Sequence, residues 1–358
     1  MATMSHLPTC RPGSAFAAPV HAAIDLGTNN CRLLLAAPGG PEGFRVLDSF
    51  SRIVRLGEGL GRTGSLTTSA VDRALGALSA CRDKLARRPI YAARAVATEA
   101  CRRAANGADF LRRAESALGL PIEVISPREE AVLAMESCAP LMAQADRRIL
   151  LFDIGGGSTE VAWIRTPREP GEQPSLLGYV SVPVGVVTVA EQAGALCDSR
   201  QGFAALVEEI ASRLEPFNAV HCIRQEMRAG GVSLMGTSGT VTTLAGIALD
   251  LPRYSRPLVD GQVLGIDAAD AALNRLLALG REGMAAHPCI GPERMDFVLP
   301  GCAIYAAIRR TWPAPRLTVC DRGLREGMLL RMMRHGRSSG SRRGRDWPLA
   351  RGISAATH

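Results

Sequence analysis

Asp153 and Glu160 enclose three consecutive glycines, Gly155, Gly156 and Gly157, followed by Ser158 and Thr159, in the run LFDIGGGSTE at 151–160. Without Cβ atoms an anion can come within hydrogen-bond distance of the main chain, and successive N–H groups form a nest for phosphate oxygens. Ser158 and Thr159 add hydroxyl donors. Acids on both sides would repel a phosphate unless a cation lies between them, which points to Mg²⁺ bridged to phosphate oxygens. Taken alone, the run reads equally well as a tight β-turn with a buried capping aspartate.

The same plan occurs twice. VHAAIDLGTNNCRLLLA at 20–36 and RILLFDIGGGSTEVAWI at 148–164 both run apolar strand, Asp, apolar residue, Gly, polar turn, apolar strand. Asp25 and Gly27 precede Asp153 and Gly155 by a constant 128 residues. Each copy predicts a hairpin whose turn exposes N–H groups, and two half-chains opening on the same hairpin imply two related domains across a cleft. The first turn offers Gly27, Thr28, Asn29 and Asn30, with Arg32 as a phosphate contact. A third loop, MGTSGTVTTLAG at 235–246, holds Gly236, Thr237, Ser238, Gly239 and Thr240 and leads into a helix, whose N-terminus attracts anions. Three such loops are hard to explain as ordinary turns. None fits GxxxxGK[ST], and no GxGxxG follows the first strand, so Walker-type and Rossmann sites are disfavoured.

The elements that must position these loops alternate. FRVLDSFSRIVRLGEGLG reads as a third strand ending in a glycine loop, and the following segment as a helix with Val71, Leu75, Leu78 and Leu85 at helical spacing, capped by Thr67 or Thr68. YAARAVAT and IEVIS read as strands, DFLRRAESALG and REEAVLAMESCAPLMA as helices. The second half repeats the theme less cleanly, with two strands, a helix near 200–215, the GTSGT loop and further helices over 267–310. The fold class is α/β, with mixed sheets.

Composition bounds the function. At 358 residues the chain suits two cores rather than one. Aromatics at 4% argue against a base-stacking nucleic-acid surface. Of the net charge of +8, +5 comes from six arginines and one aspartate at 334–358, a stretch that reads as a basic disordered tail. The ten cysteines include no CxxC pair and lie mostly in apolar runs, which suits a reducing, cytoplasmic compartment. The first 20 residues have no basic region followed by a long apolar one and read as a loose tail. The uncharged run at 229–249 holds five glycines and reads as strand, loop and helix start, not as a membrane span.

IDLGTNNCRLLL, RLGEGL, ISPREEA, LLFDIGGGSTEV, MGTSGTVTTLAG and DRGLREGML, in this order, resemble the exopolyphosphatase and guanosine pentaphosphate phosphohydrolase family over residues 20–333. The resemblance implies two actin-like (ribonuclease H-like) domains of the actin, sugar kinase and heat-shock ATPase superfamily with an interdomain active site. It implies domain I at 21–127, completed by a returning helix at 322–335, domain II at 128–321, and tails at 1–20 and 336–358. Larger members carry a further C-terminal domain with a histidine-aspartate motif, so the chain resembles a short form.

The implied activity is Mg²⁺-dependent (or Mn²⁺-dependent) release of terminal orthophosphate by direct water attack. Inorganic polyphosphate is the first expectation and guanosine pentaphosphate the alternative; a homodimer is one way to bind long chains, and neither a membrane nor a specific nucleic acid is implied. The family's base falls on Glu130 in SPREEA. Spacing alone makes Glu129 and Glu130 first-turn acids favoured by the helix dipole, and only one of two adjacent helical residues can face the cleft. Proline stands at 127 where many relatives have glycine, a residue compatible with the first helical position. Arg102, or Arg103 beside it, is implied to neutralise the polyanion; Asp25, Asp153 and Glu160 are the implied metal-site acids. His221 and His287 have no partners at metal spacing. A sugar or acyl kinase would need an acceptor site, which is not found, and a non-catalytic nucleotide sensor would not need Glu130 and Asp153.

Overall fold

The computed structural model describes residues 18–40, 42–169 and 172–338. The apolar runs at 21–53 form three antiparallel strands, β1 (His21–Leu26), β2 (Asn30–Pro38) and β3 (Phe44–Ile53). β4 (Ala92–Ala97) joins parallel to β1, and β5 (Glu123–Val124) parallel to β4, giving the order β3-β2-β1-β4-β5.

The plan then recurs. β6 (Arg148–Ile154), β7 (Thr159–Arg165) and β8 (Ser175–Val182) are antiparallel, and β9 (Val232–Thr237) lies parallel to β6. With β10 (Val263–Gly265) and β11 (Arg316–Cys320) the second sheet runs β10-β11-β9-β6-β7-β8. β8, β10 and β11 are strands that sequence reading did not place. β10 has only three residues, and the half-exposed β8 has no clean alternation.

The register carries the repeat into space. Asp25 pairs with Arg32 across β1 and β2, and Asp153 with Glu160 across β6 and β7. Both aspartates sit near the carboxyl ends of central strands, where open α/β sheets place their ligands.

One helix joins the sheets and a second packs against it. In Pro127–Cys138 the Ser126 hydroxyl accepts from the Glu129 N–H at 3.2 Å and Pro127 takes the first turn, where its fixed φ and missing N–H cost nothing. Leu133 on one face packs with Ala23 and Leu34 of the first sheet and Met328 of the last helix, Leu324–Ser338. Ala131, Ala134 and Met135 on the other face pack with Ile149, Leu151 and Ala162 of the second sheet. The two helices touch at Gly327, where a Cβ would lie 2.2 Å from the Leu133 carbonyl oxygen, so only glycine allows the crossing. The helix beginning at the expected boundary of 127/128 thus shares both cores.

The run at 229–249 divides into β9 and the helix Gly239–Ala248, and among the described residues no helix is long and apolar enough to cross a membrane. The expected tails lie outside the described residues up to 17 and from 339 onward; positions 336–338 continue the last helix.

Candidate active site

The loops expected to bind phosphate meet around one cavity of about 320 Å³. The first hairpin contributes Asp25, Gly27, Thr28, Asn29, Asn30 and Arg32, and the second Asp153 and the turn at 155–158. The third loop adds Thr237, Ser238, Gly239 and Thr240, and the helix between the sheets adds Glu130. The hairpin turns close alike, with Gly27 N–H donating to Asn30 O and Gly155 N–H to Ser158 O, both at 2.9 Å.

The glycines have a reason that the sequence did not display. A Cβ on Gly157 would lie 2.8 Å from Thr28 Oγ1, and one on Gly156 would lie 3.1 Å from Asn29 N and from Thr28 Cβ. The two turns are in contact, so the bare backbone serves the approach of one hairpin to the other as well as access to an anion. At the third loop Ser238 has φ 107°, a left-handed value uncommon for serine, and its buried Oγ has no hydrogen-bond partner. It stands immediately before the N-terminus of Gly239–Ala248, where free N–H groups favour an anion.

The adjacent glutamates separate as the 100° step of a helix requires. Glu129 turns outward to Arg94 and Arg331, while Glu130 lines the cavity and is 8% exposed. Burial, then the charge of Glu160, raises the Glu130 carboxyl well above the usual range, against Arg102. Burial and the neighbouring Glu160 push Asp153 up to about 7. Asp25 is also raised by burial, with Arg32 opposing, and its buried Oδ1 has no hydrogen-bond partner. Three carboxyls, those of Glu130, Asp153 and Asp25, are thus crowded into low dielectric, where a nearby positive charge stabilises the ionised form.

Four expected residues, and Arg103 as the alternative to one of them, stand off the wall. Glu160 is buried beside the cavity, its Oε1 accepting from the hydroxyls of Ser158 at 2.7 Å and Ser181 at 2.8 Å. Thr159 donates to the Val184 carbonyl at 2.6 Å, and Gly236 packs against the Phe152 ring. Arg102 is held by protein acceptors, its Nη1 2.8 Å from Glu130 Oε2 and 2.7 Å from Ile125 O. Arg103 is 40% exposed, with its Nε 3.8 Å from Glu99, and does not line the cavity.

The cations that do face the cavity are Arg32, Arg294, Arg322 and Arg325. Arg322 is bound to Asp260 at 2.8 Å, whereas Arg32 and Arg294 make no side-chain hydrogen bond or ion pair among the described residues. Burial, then the charge of Arg325, lowers the pKa of Arg32. Unpaired arginines of this kind suit a polyanion. The last three lie outside the glycine loops: Arg322 and Arg325 fall in the DRGLREG motif, and Arg294 lies between Gly291-Pro292 and the helix Met295–Thr311, in no phosphate-type loop. Thr98, at the end of β4, and Tyr254, whose hydroxyl donates to Asp321, also line the cavity and were not expected.

Two sheets that share one order over five strands, β3-β2-β1-β4-β5 and β8-β7-β6-β9-β11, each opening on a phosphate-type hairpin and closing on one cavity, are the two-domain actin-like ATPase fold. A solved Ppx/GppA member from Aquifex aeolicus superposes with a TM-score of 0.72 at 24% identity, covering 89% of this chain and 99% of that one. An exopolyphosphatase from Cytophaga hutchinsonii does so at 0.77 and 23%, covering 88% and 98%. The chain belongs to the Ppx/GppA phosphatase family, whose model matches residues 37–335. Over 327 residues it is 29% identical to exopolyphosphatase 2 of Mycobacterium tuberculosis, covering 86% of this chain and 97% of the relative. It is 28% identical over 318 residues to a guanosine-5'-triphosphate,3'-diphosphate pyrophosphatase of Photobacterium profundum, covering 88% of this chain but 59% of that longer protein.

Proposed function

We propose that the protein is a Mg²⁺-dependent exopolyphosphatase, releasing terminal orthophosphate from inorganic polyphosphate by water attack with Glu130 as general base. The carrying observation is the meeting of three anion-type loops around a cavity that also holds the buried carboxylate of Glu130 and the unpaired Arg32 and Arg294. The turn at 155–158 and the N-terminus of Gly239–Ala248 bind phosphate oxygens, and the arginines hold the phosphates that remain after cleavage. Glu130, whose affinity for a proton is raised by burial, takes one from the attacking water.

The residues fit a hard cation. Asp25 and Asp153 line the cavity and Asp25 Oδ1 lacks a partner, while no group of three or more acid, His or Cys ligands occurs among the described residues. Mg²⁺ is held by one or two carboxylates, waters and substrate phosphate oxygens, which matches this set. When bound, it neutralises charge on those oxygens. Glu160, hydrogen-bonded to two serines, then sets the charge around Asp153 rather than binding the ion directly.

Guanosine pentaphosphate is a second reading, favoured by the apolar lining of Leu276, Val298 and Cys302 in the same cavity. Such a wall is a poor place for charged phosphates and a good one for a base. Orthophosphate release from polyphosphates of several lengths and from guanosine pentaphosphate, with and without Mg²⁺, tests both. Faster release from polyphosphate supports the first reading, faster release from the nucleotide supports the second, and no Mg²⁺-dependent release from either overturns both.

A further inference from the structure

Glu99 lies beside the cavity without lining it, yet it connects three parts of the site. Its Oε2 accepts from Arg102 Nε at 3.3 Å and Nη2 at 3.0 Å. The remaining arm of the guanidinium, Nη1, reaches Glu130 Oε2 and Ile125 O. Four hydrogen bonds therefore engage four of the five guanidinium N–H groups. The side chains of Arg102 and Glu99 are 15% and 13% exposed, so both charges sit largely out of water. The Cγ of Glu99 also lies 3.2 Å from where a Cβ of Gly157 would stand, placing it against the glycine turn.

An arginine near a phosphate chain has two competing partners. Its planar fork matches phosphate as well as carboxylate, and a long side chain swings easily between them. Facing Glu130 alone, Arg102 could be drawn to the substrate and Glu130 would lose its orientation. Glu99 supplies the second carboxylate that keeps the guanidinium back.

We propose that Glu99 is a positioning residue: it fixes Arg102 as the internal partner of Glu130 and thereby holds Glu130 aimed into the cavity. Arg102 then acts on Glu130 rather than on the polyanion. The proposal rests on the reading of Glu130 as the base.

Steady-state phosphate release by the full-length protein tests it, with thermal unfolding as a check of folding. Glu99→Ala is expected to lower kcat about tenfold, as small misplacements of catalytic groups do, without raising KM. Glu99→Gln keeps an acceptor for Arg102 and is expected to recover most of that loss. In a Glu130→Gln background, Glu99→Ala is expected to have no further effect, because the two residues act as one unit. A raised KM at unchanged kcat, or the same fractional loss in both backgrounds, overturns the proposal. Should Glu99→Ala not fold, Glu99→Asp keeps the charge, shortens the reach and is judged by the same criteria. If Glu130→Gln is inactive while the Glu99 variants keep wild-type kcat, only the positioning role fails; if Glu130→Gln keeps wild-type kcat, the base assignment fails with it.

Discussion

Arg32 and Glu160 occupy the same place in two repeated hairpins, one basic and one acidic. Each stands directly across a strand pair from an aspartate, Arg32 from Asp25 and Glu160 from Asp153, and they are separated by the same 128 residues as those aspartates. The repeat therefore preserves backbone geometry while reversing charge. The first hairpin can neutralise an anion; the second concentrates negative charge and favours a cation beside it.

That asymmetry predicts a cation-dependent stability. Asp153 has its pKa raised from 3.8 to about 7, so the folded state holds a proton that the unfolded state releases. In the absence of divalent cation its contribution to stability falls as pH rises between those values. Mg²⁺ should raise the unfolding midpoint more at pH 8, where Asp153 is ionised, than at pH 5. Equal gains at the two pH values would remove Asp153 from the cation site.

The unpaired arginines should report on binding. Arg32→Ala and Arg294→Ala are each expected to raise KM for polyphosphate about tenfold, the order of a lost charge-assisted phosphate contact, with a smaller change in kcat. Stabilisation of the protein by inorganic phosphate in thermal unfolding should weaken in parallel. Wild-type KM in both variants would mean that the phosphate chain leaves the cavity by another wall.

Gly185 tests the packing behind the glycine turn. A Cβ there would lie 2.4 Å from the backbone carbon and oxygen of Gly156, atoms that cannot move aside without distorting the turn. Gly185→Ala is expected to cost about 1–3 kcal/mol in denaturant unfolding and to lower phosphate release as well. Gly61→Ala, with no atom within 4 Å of its Cβ, serves as the control for steric effects.

The paired hairpins, with Asp25 and Asp153 at matching positions, were legible because strand, acid, glycine and turn repeat at one offset. Glu130 was legible only through its family motif, since two adjacent first-turn acids look alike until the helix is placed between two sheets. Arg294 was not legible: it reaches the cavity by tertiary packing, and a single arginine before a helix has no local signature. Arg102 presents the opposite case. Its motif marks a residue near the site, but only the structure reveals that Glu99, Glu130 and the Ile125 carbonyl take up its guanidinium.

The most direct measurement is orthophosphate release by Glu130→Gln set beside its polyphosphate binding. Loss of a general base should lower kcat at least about 100-fold while binding stays within about threefold of wild type. Wild-type release by the variant would contradict the account, and so would a parallel loss of binding and turnover in a protein that still unfolds at the wild-type temperature.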